Sequence, residues 1–248
     1  MTPLFSIITV TFNAAKEVES TLRSVKSQSF TDFEYLVADG ASKDNTVEII
    51  KSYDVPGTKI VSEPDGGLYD AMNKSIRRAK GEYLIFLNAG DSFYDENTLK
   101  IIAETAKKYN ADIVYGQTEL VNGKGKKIGM RHLTAPEKLT FKSFRKGMLV
   151  CHQAFVARRS IMGEYDLKYR FSADYEWCLR CLKASKGNAY TGTTVIKFLS
   201  GGTTAKNRKK SLKERYCIMC EYYGSVSTFF YHLAFVPRFI ISKIKGVS

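Results

Sequence analysis

Apolar runs and polar breaks alternate along the first half of the chain with the spacing of strand followed by helix. Residues 5–12 form an unbroken, β-branched apolar run, the pattern of a strand buried on both faces, and residues 16–27 follow with helical periodicity. The same alternation predicts strands over 33–38, 59–62, 82–87 and 112–115, and helices over 46–53, 68–80 and 96–109. Ser42 to Asn45 supply capping chemistry before the second helix, and Gly66-Gly67 break the chain before the third. The second half is less regular. A Gly/Lys-rich hairpin is expected over 121–130, a short helix over 136–144, strands over 153–157 and 195–199, and a helix over 173–186.

Alternation of this kind predicts an α/β fold with a mostly parallel central sheet flanked by helices, its inner strands packed as two sheets. In such folds ligands bind at the carboxyl ends of the strands. Asn13, Asp39, Asp65 and Asp91 each stand just past a predicted strand. Polar loop residues also serve solubility alone, so this recurrence locates a site without naming its chemistry.

Composition changes the picture in two ways. Thirty-eight Lys and Arg against twenty-five Asp and Glu give a formal net charge of +13, which draws a protein toward nucleotide phosphates, nucleic acid or an anionic membrane. Five cysteines, an odd number, argue against a disulfide framework. Cys178/Cys181 and Cys217/Cys220 each have the C-x-x-C spacing of a zinc ligand pair, but both pairs lie in helical sequence without a knuckle's turns, which favours packing over zinc. The opening residues lack the basic start and cleavage site of a secretory leader, so a cytoplasmic location is expected.

The run Ser6-Ile7-Ile8-Thr9-Val10-Thr11-Phe12-Asn13, then Asp39-Gly40-Ala41-Ser42-Lys43-Asp44-Asn45-Thr46, resembles the start of family 2 glycosyltransferases of the GT-A fold. Glu63 to Lys74, Phe86-Leu87-Asn88-Ala89-Gly90-Asp91, Cys151-His152-Gln153 and Ala173-Asp174-Tyr175-Glu176 continue the likeness in order, resembling a bacterial polysaccharide branch. The resemblance spans about the first two hundred residues. It implies an inverting transfer of sugar from a nucleotide diphosphate, expected to be UDP, to a hydroxyl of a glycan or of an undecaprenyl-type lipid-linked glycan.

That likeness assigns expected roles. Asp39 would accept hydrogen bonds from the nucleobase, with Thr11 and Asn13 lining the base and ribose pocket. Asp65, Asp70 and Asn73 would face the donor sugar and phosphates, although Asp70 and Lys74 also have the spacing of an ordinary helical ion pair. His152 would contact the donor, metal or acceptor. Asp91 matches the last acid of the family's metal motif, implying Mn or Mg at the leaving diphosphate. Asn88 and Gly90 stand where other members place acids. Asp174 would be the catalytic base, with Glu176 as its competitor and a helix-dipole acid as the bland alternative.

Residues 1–205 are therefore expected to form the transferase domain and 206–248 a basic, amphipathic helical extension. Gly201-Gly202 followed by Lys206, Arg208, Lys209, Lys210, Lys213 and Arg215 would make either a lid on the diphosphate or a solvated face. Beyond Gly224 the apolar aromatic segments are too short and broken to span a bilayer, which takes about 20 residues. They suit the surface of an anionic membrane on its inner face, or docking on the core. A sugar nucleotidyltransferase would need a glycine-rich loop after the first strand, which Thr11-Phe12-Asn13-Ala14-Ala15 lacks. No nucleic-acid recognition module is present, so nucleic acid is not expected as a partner. A catalytically inactive sugar-binding scaffold is the remaining alternative.

Overall fold

The computed structural model describes residues 2–201 and 207–233. One sheet of nine strands runs through the molecule, in the order β3-β2-β1-β4-β8-β6-β9-β5, with β7 paired to β6. Its first four strands are β1 (Phe5–Thr11), β2 (Phe33–Asp39), β3 (Thr58–Ser62) and β4 (Tyr83–Phe86), all mutually parallel where they pair. The sheet then changes direction at β8 (Phe155–Arg158), which is antiparallel to both β4 and β6 (Ile113–Val121). β9 (Asn188–Leu199) lies parallel to β6, and β5 (Ser92–Phe93) closes the far edge. The expected pair of packed sheets is thus one continuous curled sheet, because β8 joins the two halves through hydrogen bonds on either side.

Every residue of β1 is buried, as its unbroken apolar run predicts for a strand covered on both faces. Helix α1 (Val18–Lys26) buries Val18, Thr21, Leu22 and Val25, one face at helical spacing, against the core. Truncating a fully buried side chain such as Leu22 to Ala typically costs about 2–5 kcal/mol, most of it packing and lost transfer energy. Helices α2 (Thr46–Ser52), α3 (Leu68–Arg78) and α4 (Thr98–Tyr109) follow the expected alternation.

The second half departs more. β6 runs through to Val121 and pairs with β7 (Lys127–Met130), so the expected hairpin has a longer first arm. The expected helix over 136–144 is instead a 3-10 turn, Phe141–Lys146, and β5 has no counterpart in the sequence reading. Helix α5 (Ala173–Ala184) places Cys178 and Cys181 in the buried core, where burial pushes the Cys181 thiol up to about 12. They pack as small apolar side chains.

Helix α6 (Arg208–Tyr223) docks on this core through Ser211, Ile218 and Met219, and residues 225–233 are helical too. The expected boundary at 205/206 and the apolar segments around Val236 and Ile240 lie outside the described residues.

Candidate active site

The carboxyl ends of β1, β2 and β4 lie side by side, because β1 pairs with both of the others, and a mesh of side-chain hydrogen bonds gathers at the ends of β1 and β2. Asp39 ends β2 at 2% exposure. Its Oδ1 accepts from the Thr11 hydroxyl at 2.9 Å and from the Ser42 hydroxyl, while Oδ2 accepts from the Ser42 N–H at 2.9 Å and the Ser62 hydroxyl at 2.7 Å. Burial alone would raise its pKa; the donors from Ser42, Ser62 and Thr11 outweigh it and hold the carboxyl below its usual range. Asn13 sits in the left-handed region (φ 49°), which Asn tolerates better than most residues, and its Oδ1 accepts the Lys43 N–H at 2.8 Å.

Beside this mesh stands Phe12, 65% exposed at the end of β1. A Cβ at Gly40 would lie 2.6 Å from Asp65 Oδ2 and 3.3 Å from the Phe12 ring, so a side chain there would displace the Asp65 carboxylate. Asp65 also accepts the Gly67 N–H at 2.8 Å. Asp70 closes the same turn by accepting the Gly66 N–H at 2.9 Å, and it pairs with Lys74 at 3.5 Å.

The loop after β4 carries its acid inward. Thr21 of α1 anchors it, accepting the Gly90 N–H at 2.9 Å and donating to the Asp91 carbonyl at 2.7 Å. Asp91 is 4% exposed and points inward. Its Oδ1 accepts the Leu199 N–H at 2.9 Å and its Oδ2 the Gln153 amide at 2.8 Å, so the carboxylate ties the end of β9 to the loop. Burial pushes its pKa up to about 7, against those two hydrogen bonds. Gly90, at φ 94°, has no room for an acid: a Cβ there would lie 2.5 Å from Leu199.

Among the described residues no three His, Cys, Asp or Glu side chains gather as a metal centre. The oxygen this loop leaves open is Asn88 Oδ1, buried without a partner. An amide oxygen suits a hard cation that takes its other ligands from phosphate and water, as Mg²⁺ commonly does.

Two expected donor residues are core groups instead. Asn73 clamps the Tyr165 backbone at both ends, donating to its carbonyl at 3.0 Å and accepting its N–H at 2.7 Å. His152 stacks on Phe86 at 5.0 Å, meets Trp177 edge-on, and bonds the Tyr165 hydroxyl at 2.6 Å. Burial lowers its pKa to about 4, so it is neutral at pH 7. The bidentate amide and the aromatic cage explain both residues without a ligand.

Asp174, at the start of α5, is half-buried. Its Oδ1 accepts the Tyr69 hydroxyl at 3.2 Å and the Tyr175 N–H at 2.9 Å, while Oδ2 takes no partner among the described residues. Glu176, its competitor, is 4% exposed and held by Arg180 at 2.8 Å and by the Tyr222 hydroxyl. Among the described residues, only Asp174 of the two keeps a carboxylate oxygen without a partner. Phe12 lies in the first motif and Tyr69 inside the Glu63 to Lys74 stretch, and the sequence pattern assigns neither a role. Phe12 had a usable signal: an aromatic side chain at a strand end beside polar site residues.

The family model for "Glycosyl transferase family 2" matches residues 6–166. The chain belongs to this family. The glycosyltransferase is 35% identical over 187 residues to a "PGL/p-HBAD biosynthesis glycosyltransferase" of Mycobacterium bovis, covering 72% of this chain and 70% of that one. It is 25% identical to the Escherichia coli "UDP-Glc:alpha-D-GlcNAc-diphosphoundecaprenol beta-1,3-glucosyltransferase WfgD" over 98% of this chain and 94% of that one. Among solved structures, S. aureus TarS 1-349 in complex with UDP-GlcNAc superposes with a TM-score of 0.67 at 20% identity, covering 87% of this chain and 66% of that one. The mannosyltransferase PcManGT of Pyrobaculum calidifontis, in complex with GDP-Man and Mn²⁺, gives a TM-score of 0.64 at 14% identity, covering 96% and 76%. These two likenesses establish a GT-A type fold for the glycosyltransferase.

Proposed function

We propose that the protein transfers a sugar from a nucleotide-diphosphate donor, with UDP as the nucleotide, to a hydroxyl of a lipid-linked glycan, inverting the anomeric centre. The observation that carries this reading is Asp174: a half-buried carboxylate with one oxygen held by Tyr69 and Tyr175 and the other without a partner among the described residues. A single displacement needs one base to take the acceptor proton on the face opposite the leaving group. Tyr69 fixes the orientation of Asp174 and leaves Oδ2 for the acceptor hydroxyl.

Phe12 and Asp39 support a nucleobase at the ends of β1 and β2. The exposed ring offers a stacking face, and the Ser62 hydroxyl on Asp39 Oδ2 sits at the surface, where an N–H of the base can replace it. Asp39→Asn is expected to weaken UDP binding about tenfold, because one acceptor position becomes a donor facing a donor. Calorimetric titration with UDP checks this. The fold neighbour's Mn²⁺ supports a divalent cofactor, Mn or Mg, with Asn88 Oδ1 as its side-chain ligand here. Bound with the donor, such an ion would add positive charge at the departing diphosphate.

The names of the relatives in M. bovis and E. coli support a glycolipid or polyprenyl-diphosphate acceptor. Surface placement supports it as well. Val226, Phe229, Phe230 and Leu233 are exposed at i, i+3, i+4 and i+7 of the helical residues 225–233, a continuous outward apolar stripe. Among the described residues no helix is long and apolar enough to cross a membrane. On this reading the enzyme works at the inner face of the cell membrane, with the stripe in the interface and its basic excess toward anionic lipid. The double substitution Phe229→Ser/Phe230→Ser is expected to cut sedimentation with phosphatidylglycerol vesicles about tenfold while leaving UDP binding unchanged.

The direct test is a panel of UDP- and GDP-sugars incubated with the purified protein and polyprenyl-diphosphate or phenolic glycolipid acceptors, followed by release of the nucleotide diphosphate. Turnover of a UDP-sugar supports the reading. Turnover confined to GDP-sugars would replace the nucleotide, and a folded protein that binds no nucleotide diphosphate would end the proposal.

A further inference from the structure

Helix α6 does more than cover the core: it grips the segment that leads into Asp174. Glu214 accepts two successive backbone N–H groups, Arg170 at 3.0 Å and Phe171 at 2.7 Å. The Ser211 and Ser172 hydroxyls meet at 2.9 Å, and Glu221 accepts the Tyr169 hydroxyl at 2.6 Å. Residues 169, 170, 171 and 172 are thus each tied to α6, and the first turn of α5 inherits that fixed position.

One residue past Glu214, the same helix presents Arg215 to the site. Its guanidinium carbon lies 5.9 Å from the Tyr175 ring centre. Its positive charge bears on the hydroxyl of Tyr69, the group that donates to Asp174. Among the described residues Arg215 has no carboxylate partner, and its Nε is buried without a hydrogen bond. A guanidinium carries five donors, and leaving them unpaired and partly desolvated is costly unless an anion arrives. Of the other basic side chains on this side, Arg180 pairs with Glu176 and Arg131 donates to the Leu133 and Met148 carbonyls, while Arg145, whose Nε is also buried without a hydrogen bond, lies over the Tyr223 and Tyr231 rings.

The anion that suits a planar fork of donors is a phosphate. We propose that Arg215 is a phosphate-binding residue of the active site, delivered by α6 to a diphosphate group beside Asp174. The inference rests on the reading of Asp174 as the base. Two ligands share this chemistry: the diphosphate of the sugar donor and the diphosphate of a lipid-linked acceptor.

The test is calorimetry in the presence of chelator, so that no divalent ion shares the load, on wild type, Arg215→Ala and Arg215→Lys. One arm titrates UDP and UMP. The other titrates farnesyl diphosphate into UDP-saturated protein. A loss of tenfold or more in UDP affinity for Arg215→Ala, with a reduced preference for UDP over UMP, assigns the residue to the donor diphosphate. An equal loss confined to farnesyl diphosphate assigns it to the acceptor. In either case Arg215→Lys, which keeps the charge without the fork, should fall between, at an unchanged melting temperature. Both affinities staying within twofold of wild type would overturn the proposal, as would an equal loss in UMP and UDP binding. A transfer assay on Asp174→Asn, run beside these titrations, separates the two readings. Transfer surviving in that variant sinks the base assignment, whereas the Arg215 arms report phosphate binding whatever the base.

Discussion

Replacing Asp174 with Asn is expected to lower sugar transfer by about 10³-fold while leaving UDP affinity within about twofold. The amide keeps the shape and still accepts from Tyr69 and the Tyr175 N–H through one oxygen. What it loses is the capacity of Oδ2 to take a proton. Because the acceptor hydroxyl must shed that proton as the new bond forms, the loss falls on turnover rather than on donor binding. Tyr69→Phe should show a milder form of the same effect, since it frees the carboxylate to rotate without removing it. Steady-state kinetics on both variants, with UDP titrations alongside, would check this. A Tyr69→Phe variant as impaired as Asp174→Asn would mean that the tyrosine hydroxyl itself takes part in the proton transfer.

The second large effect is on stability and belongs to Asp91. Asp91→Ala removes the acceptor of two buried donors, the Leu199 N–H and the Gln153 amide, and is expected to cost about 2–5 kcal/mol. A pH dependence accompanies it. The carboxyl has a pKa of 3.8 when unconstrained and about 7 in the fold, raised by burial. Below about pH 4 both states are protonated and the full stability is present. As pH rises toward about 7 the unfolded chain has released its proton and the folded one has not, so stability falls across that window and levels off above it. At about 1.4 kcal/mol per pH unit the loss amounts to a few kcal/mol. In Asp91→Asn that contribution should vanish. Melting temperatures of wild type between pH 5 and 8 should therefore decline relative to Asp91→Asn. Parallel profiles for the two proteins would show that Asp91 is ionised in the fold, as a metal ligand would be.

How far the sequence could foresee these roles depends on what decides each one. β1 and α1 were legible because periodicity reports burial directly: an unbroken apolar run for the one, apolar positions at helical spacing for the other. β5 was not, since two residues hold no periodicity and the strand exists only because β9 offers it an edge. The same distinction runs through the site. Asp39, Asn13, Asp65 and Asp174 stand at strand ends or a helix start, where position along the chain sets position in space.

Asn73, His152 and Asp91 lie inside motifs just as strong, yet their side chains turn inward. Their partners, Tyr165, Phe86, Trp177, Gln153 and Leu199, come from distant parts of the chain, and no local pattern announces which way such a side chain will point. Arg215 shows the converse case. It lies in a basic run that reads as a solvated face or a lid, and its place near Asp174 depends on tertiary docking through Glu214 and Ser211.

The measurement that bears most directly on the central claim is the anomeric configuration of the transferred sugar. Proton NMR would be recorded on the product formed by the wild-type enzyme from an α-linked UDP-sugar. Single displacement assisted by Asp174 predicts a β linkage. An α-linked product would contradict it, because retention requires either a second displacement or a front-face route, and a lone base opposite the leaving group performs neither.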